Sequence, residues 1–279
     1  MPETPRPRRP TKTTLRSDVV EAAATLLARA ESVLFITGAG LSADSGGPAY
    51  RGIGGLYRDK ASEKGATVEV GLSADTLQRR PKLTWTFLAQ IEAAGRDTRP
   101  NEGHEVLTWF ERALPRSLIL TQNVDGLHRA AGAERVCEIH GNLRDLRCTR
   151  CDFRSTVRDF TGLYIPPACP QCKGLLRPDI VLFGESLPHA PFTQLQAELE
   201  QGFDLVVAVG CTAMFPYIAR PVLVAKSEGT PTIEITPQTT DLSEIVDLRL
   251  RSTPAAAMRR VWAAYKAMAP SATLSDVRR

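Results

Sequence analysis

The sequence has no run near the roughly 18 uninterrupted apolar residues that a membrane helix needs. Its opening, Met1-Pro2-Glu3-Thr4-Pro5-Arg6, contains no apolar stretch of the kind that drives secretion. Neither a bilayer-spanning nor an exported protein is therefore expected, and the chain is predicted to stay in the cytoplasm. Basic charge is also scarce once it is located. The net charge is +4, but Arg6, Arg8, Arg9, Lys12 and Arg16 face only Glu3 at the start of the chain, which leaves the body near neutral. A nucleic-acid-binding body would carry its own basic stripe, so no specific nucleic acid is expected as partner. Residues 1–16 read as a solvated, disordered basic tail, and 269–279 as a flexible C-terminal tail. The remaining composition, 43% hydrophobic and 24% charged over 279 residues, excludes disordered and fibrous classes and allows one large domain with a small insertion.

Cysteine is sparse, yet four of the six are grouped. Cys148, Cys151, Cys169 and Cys172 read C-x2-C-x17-C-x2-C, within the spacing of a four-thiolate zinc site. Each pair fits a tight turn that aims two sulfurs at one ion. Two disulfides or four unrelated thiols are the alternative, and the absence of a secretory signal favours metal. Four thiolates leave no place for water, so a single zinc here is expected to be structural. Cys137 and Cys211 lie in apolar runs and read as small buried residues.

Residues 17–30 carry an amphipathic helical pattern, with Ser17 or Asp18 as its N-cap. Ser32–Thr37 is a short continuous apolar run of the sort that forms a fully buried parallel strand. Further strands are predicted at 118–121, 136–139, 180–183, 205–209 and 232–235, with helices at 101–113 and 190–201. That alternation predicts an α/β fold, a doubly wound, Rossmann-like parallel sheet. Two segments break it. Residues 52–97 are predicted to be a helical insertion, with Pro81 starting a helix, and 144–177 a zinc-binding insertion. The two together are predicted to form a small domain, beside a dinucleotide-binding domain made of 17–51, 98–143 and 178–268.

Gly38-Ala39-Gly40-Leu41-Ser42-Ala43 matches G-x-G-x-x-[G/A] after a strand, where glycines let the backbone approach a pyrophosphate and helix amides receive its charge. The usual acidic residue ending a second strand about 20 residues later, which would hold a ribose, has no counterpart here. An ordinary dehydrogenase is therefore disfavoured.

The stretch from Gly38 through Ser45-Gly46-Gly47-Pro48-Ala49-Tyr50-Arg51 resembles the signature loop of the sirtuins, the NAD-dependent protein lysine deacylases. The resemblance continues in Thr121-Gln122-Asn123-Val124-Asp125-Gly126-Leu127-His128, in Glu138-Ile139-His140-Gly141, and then in the four cysteines. Arg177-Pro178-Asp179-Ile180-Val181-Leu182-Phe183-Gly184-Glu185, Gly210-Cys211-Thr212 and Ile235-Thr236-Pro237 complete an ordered set covering residues 18 to about 260. In that family the acyl oxygen of the substrate attacks the nicotinamide ribose of NAD and expels nicotinamide. A histidine then acts as base on the ribose hydroxyls, and the acyl group finishes on ADP-ribose.

The resemblance implies NAD as co-substrate and acyl-lysine proteins as partners. It makes His140, Asn123 and Asp125 the catalytic residues. His140 also ends a predicted strand, where α/β sites form, and imidazole has the pKa a general base needs. His104, His128 and His189 are given no catalytic role. Implied NAD contacts are Gly38, Ala39, Gly40, Ser42, Ser45, Tyr50, Arg51, Gln122, Asn123, Asp125, Gly210, Cys211, Thr212 and Thr236. Val181, Phe183 and Gly184 match positions that line the acyl-lysine tunnel and pair with the substrate backbone. Gly47, Thr212 and Thr236 depart from the family's usual Ile, Ser and Asn. Sirtuins that favour succinyl or malonyl groups carry a Tyr and an Arg after Trp-x-Phe; here Trp85-Thr86-Phe87 leads to Leu88 and Ile91, so neutral acyl groups are expected. Transfer of ADP-ribose onto protein, or a non-catalytic NAD-sensing zinc-ribbon module, are the competing readings.

Overall fold

A computed structural model describes residues 15–47 and 67–268. The chain opens with helix α1 (Ser17–Arg29), strand β1 (Ser32–Thr37) and the short α2 (Ala39–Ala43). Next come α3 (Val68–Gly71), α4 (Ala74–Arg79), α5 (Pro81–Gly95) and α6 (Glu102–Ala113), then β2 (Arg116–Thr121), α7 (Leu127–Ala130) and β3 (Val136–Glu138). Strands β4 (Gly141–Cys148), β5 (Arg154–Thr156) and β6 (Leu176–Ile180) follow. The chain continues through α8 (His189–Glu200), β7 (Leu205–Val209), α9 (Pro216–Ser227), β8 (Thr232–Ile235), β9 (Leu248–Leu250) and α10 (Pro254–Met268).

Six strands form a parallel sheet in the order β3-β2-β1-β7-β8-β9. Counted among themselves they run 3-2-1-4-5-6, the doubly wound order, with the direction of winding reversing between β1 and β7. The continuous apolar runs have a simple cause. In β1, Val33 and Phe35 face a core shared with α1, α6 and α10, whereas Leu34 and Ile36 face one shared with α8 and α9. Strand β7 repeats the division, Leu205, Val207 and Val209 on one side and Val206 and Ala208 on the other. Both faces are covered, so no polar alternation survives in the sequence.

The second sheet is antiparallel, in the order β5-β4-β6. This corrects one expectation: 180–183 is not a strand of the parallel sheet. Ile180 ends β6, and the next residues leave the ladder to bond across a seam. Val181 N donates to His140 O at 2.9 Å, Phe183 N to Leu72 O at 2.9 Å, and Ala74 N to Phe183 O at 3.0 Å. The apolar run reflects packing at that seam, with Ile180 and Leu182 against Trp85, Leu88 and Leu146. A second correction is smaller. The N-cap of α1 is Arg16, without a side-chain cap, while Ser17 and Asp18 lie inside the first turn. Asp18 still favours that helix end through the dipole.

Helices α3–α5 and the three-stranded sheet share one apolar cluster, in which Leu72, Trp85 and Phe87 meet Leu143, Leu146 and Phe160. Trp85 anchors the contact by donating Nε1–H to Leu176 O at 3.0 Å. The part of the sheet nearest the cysteines has little apolar support: Cys148, Cys169 and Leu176 are its buried members.

Candidate active site

The ends of β1, β2 and β7 meet at the reversal point, and glycines decide how closely. Gly38 N donates to Val209 O at 3.3 Å and Gly40 N to Gly210 O at 2.9 Å. A Cβ on Gly38 would fall 2.9 Å from Gly210 O, and one on Gly40 2.8 Å from the same atom. The sequence predicts that these glycines let the backbone approach a pyrophosphate; the structure adds that a side chain at either would also collide with the backbone of Gly210. Gly210 itself has φ +59°, and a side chain there would meet Leu41 N at 2.4 Å. Glycine is thus needed on both sides of the junction.

Around this junction a polar network brings together most of the residues singled out from the sequence. Asn123 Nδ2 donates to Gly38 O and to Ser42 Oγ, each at 3.0 Å. Ser42 Oγ donates to Asp125 Oδ2 at 2.6 Å, and Asp125 Oδ1 accepts from Leu127 N at 3.0 Å. Gln122 Nε2 donates to Cys211 Sγ at 2.9 Å. Asp125 and Ser42 therefore hold each other beside the loop, and Asn123 ties β2 to β1 with its amide group. Ala39, Ser42, Gly47, Asn123 and Asp125 line one side of a cleft that is also lined by Ile91 and Glu92 of α5 and by Arg96 at its C-cap. Both Leu88 and Ile91 are buried in the cluster below, and of the two Ile91 lines the cleft. Arg96 pairs with Glu92 at 2.5 Å, and Arg144 lines the cleft as well.

His140 occupies the two-residue link between β3 and β4, where the chain passes from one sheet to the other. The passage requires Gly141, at φ +79°, because a Cβ there would lie 1.9 Å from Asp179 O. His140 Nδ1 is 3.1 Å from Gln122 O and Nε2 is 2.6 Å from Tyr217 Oη. Burial lowers the imidazole pKa below its ordinary value, opposed in part by the Gln122 carbonyl. Val181 bonds to the backbone of His140, while Phe183 and Gly184 stand exposed further along the seam. A clamp sets this segment. The buried Arg177 donates to Glu185 at 2.5 and 2.9 Å and to Ile180 O at 2.7 Å, and Glu185 accepts from Leu182 N.

The other predicted residues sit at the margin of the network. Ser45 Oγ accepts from Asn101 Nδ2 at 2.9 Å. Thr212 is exposed beside the buried Gly210 and Cys211. Thr236 is buried, and its hydroxyl accepts from Gln238 N at 3.4 Å, shaping the turn after β8. Tyr50 and Arg51 lie outside the described residues. Of the remaining histidines, His104 caps α6 and His128 bonds Thr37 at 2.8 Å; both are buried, and their rings meet edge to face at 5.0 Å. His189 is exposed at the start of α8.

Three features escaped the reading of the sequence. Tyr217 gives no signal there, because only the placement of α9 brings it to His140. The Arg177–Glu185 clamp is an eight-residue separation across a bend. Asn101 is the N-cap of α6 and its side chain also holds Leu41 O at 2.8 Å, two tasks that the predicted helix at 101–113 does not reveal.

The four sulfurs of Cys148, Cys151, Cys169 and Cys172 lie within 4.8 Å of one another. All six cysteines are free thiols, with the nearest sulfurs 3.4 and 3.7 Å apart, so the disulfide alternative is not realised. The backbone amides of Arg150 and Gly174 donate to Cys148 Sγ (3.3 Å) and Cys172 Sγ (3.4 Å). Four soft donors in one closed cluster fit a zinc ion.

In α/β sheets of this strand order the crevice at the reversal point is where dinucleotides bind. Fold and site therefore define a class: a Rossmann-like protein with a dinucleotide crevice and an inserted four-cysteine module. Residues 38–215 match the Sir2 family. The chain is 48% identical over 227 residues to NAD-dependent protein deacylase 2 of Pseudomonas aeruginosa, covering 80% of this chain and 88% of that one. Among solved structures it is similar to a Sir2 homologue in complex with NAD, at 32% identity and a TM-score of 0.79 over 89% of this chain and 95% of that one. It is also similar to a Sir2 protein bound to a myristoylated histone peptide, at 25% identity and a TM-score of 0.71 over 91% and 98% of the two chains. The chain belongs to the Sir2 family. Among the described residues, no helix is long and apolar enough to cross a membrane.

Proposed function

We propose that this protein removes acyl groups from lysine side chains of other proteins, with NAD consumed and nicotinamide and O-acyl-ADP-ribose released. The observation that carries the reading is the contact of His140 Nδ1 with Gln122 O at 3.1 Å. A carbonyl oxygen only accepts, so Nδ1 bears the proton toward Gln122 O and the lone pair is on Nε2, where a general base needs it. NAD, when bound, supplies an electrophilic ribose carbon. The chain's own residues do the rest. Ser42, Asn123 and Asp125 orient the nicotinamide ribose and carboxamide beside the cleft, and His140 takes a proton from a ribose hydroxyl. Val181, Phe183 and Gly184 line the seam at which the acyl-lysine would lie, in a segment held in place by Arg177 and Glu185. One zinc held by the four cysteines would be structural. Six unpaired cysteines suit a reducing compartment, which favours the cytoplasm.

His140→Ala is expected to reduce NAD-dependent deacylation of an acetyl-lysine peptide by about 10²–10⁴ while leaving the fold intact. A loss of only a few-fold, read by mass spectrometry of peptide and nucleotide products, would overturn the assignment. The same spectra distinguish acyl transfer from ADP-ribose attached to protein. Acetyl peptide is expected to react faster than its succinyl counterpart. Ile91 brings no charge to the cleft, and Arg96 is already paired with Glu92. A succinyl peptide with equal or greater kcat/KM would place the charge of Arg144 or Arg96 on the acyl group instead.

A further inference from the structure

The lone pair that the proposed reaction needs is already taken. With its Nδ1 proton directed at Gln122 O, His140 has one acceptor, Nε2, and Tyr217 Oη is 2.6 Å from it. A phenol beside an acceptor nitrogen donates, so the O–H of Tyr217 points at the ring. A substrate hydroxyl cannot bond Nε2 directly while that contact stands.

The contact is firmly held. Tyr217 is the second residue of α9, preceded by Pro216 in the first turn and followed by Ile218, which is fully buried. Its ring stacks on Phe215 with centroids 5.5 Å apart and planes at 15°. Phe215 in turn sets its ring at 83° to that of His140, with centroids 5.6 Å apart. Swinging the tyrosine away would break the stack and leave a half-buried phenol without its acceptor. Staying in place costs nothing, because the phenol oxygen keeps lone pairs free to accept a further hydroxyl. Burial also keeps the phenol protonated at neutral pH.

We propose that Tyr217 is a catalytic residue that relays the ribose proton to His140. The proposal rests on the general-base reading of His140. In the step, the ribose O–H bond breaks and its proton moves to Tyr217 Oη. The proton Tyr217 already carries passes to His140 Nε2. The ribose oxygen keeps the electron pair and forms its bond to the acyl carbon, whose C=N π pair moves onto the lysine nitrogen. Tyrosine ends as it began, neutral, and the histidine ends as imidazolium.

The test separates the two halves of the reaction. Wild type, Tyr217→Phe and His140→Ala are compared on an acetyl-lysine peptide with NAD, for deacylation and for exchange of labelled nicotinamide into NAD. Exchange reports nicotinamide expulsion, which precedes the proton step. Tyr217→Phe keeps the ring stack and removes one oxygen. It is expected to slow deacylation by about 10–100-fold, at or below the low end of proton-transfer catalysis because His140 remains, and at least tenfold more than it slows exchange. Exchange on the same sample also shows that the variant is folded. Unchanged or faster deacylation in Tyr217→Phe would show that the tyrosine only covers the base. Equal loss of both reactions would make its role structural; either result overturns the proposal. If His140→Ala deacylates like wild type, the general-base reading fails, whatever Tyr217→Phe does.

Discussion

The two sheets of this protein are stabilised by different means. The six-stranded sheet is buried on both faces, with side chains from β1 and β7 dividing evenly between two cores. The three-stranded sheet shares one apolar cluster with α3–α5, and at its far end it has almost no core, only Cys148, Cys169 and Leu176. The first is held by area removed from water, at roughly 25 cal/mol per Å². The second, at its cysteine end, has in place of a core four clustered sulfurs that fit a zinc ion. Loss of one contact should therefore be absorbed by the large sheet and be decisive in the small one.

The largest expected effect follows from that difference. Cys148→Ser should release the metal and unfold the cysteine end of the small sheet, since structural zinc in small domains contributes on the order of 10 kcal/mol. Hydrogen exchange should show protection lost across β4–β6 and kept in β1, β2 and β7. A metal-free variant with full protection in β4–β6 would mean that the shared apolar cluster suffices.

Acid should attack the large sheet instead. Burial holds His104 down to about 4 and His128 down to about 3, His104 against the pull of Asp125. In the unfolded chain both bind a proton near 6.5. Below that pH the unfolded state takes up protons that the folded state refuses, so stability falls as pH drops from about 6.5 toward 4 and 3. Each histidine costs about 1.4 kcal/mol per pH unit in that window. Urea midpoints for β1 and α6 probes should drop markedly between pH 7 and pH 5; coincident midpoints would contradict the burial of this pair.

A smaller effect is expected at the seam. Glu185→Gln leaves the guanidinium of Arg177, buried and charged, with amide partners only. Breaking a buried pair costs about 3 kcal/mol or more, and the half-exposed carboxylate puts this case at the low end. The change should raise KM for acyl peptide more than it lowers Tm, because the clamp sets residues 181–184. A variant with normal KM and lowered Tm would make the clamp purely structural.

The sequence made the large sheet legible because its strands are continuous apolar runs, and the cysteine module because spacing alone implies a shared ligand. The motif at 138–141 singles out His140, which the structure places on the link between the two sheets. What stayed hidden depends on long-range placement. Strand β9 is three residues long and carries no pattern of its own. The apolar run at 180–183 looked like a strand because a seam and a sheet interior bury the same kinds of side chain. Gly38 and Gly40 were recognised as glycines that something must approach, but sequence could not say that the approaching group is Gly210. Tyr217 reaches His140 across 77 positions, and no local pattern announces it.

The link at His140 and Gly141 has a mechanical consequence. It is the covalent crossing from the parallel to the antiparallel sheet, and its carbonyl accepts from Val181. The imidazole is therefore held from both sides, by the large sheet through β3 and by the small one through β4. In the reading proposed above, a peptide lying against residues 181–184 would load the same peptide unit that carries the imidazole.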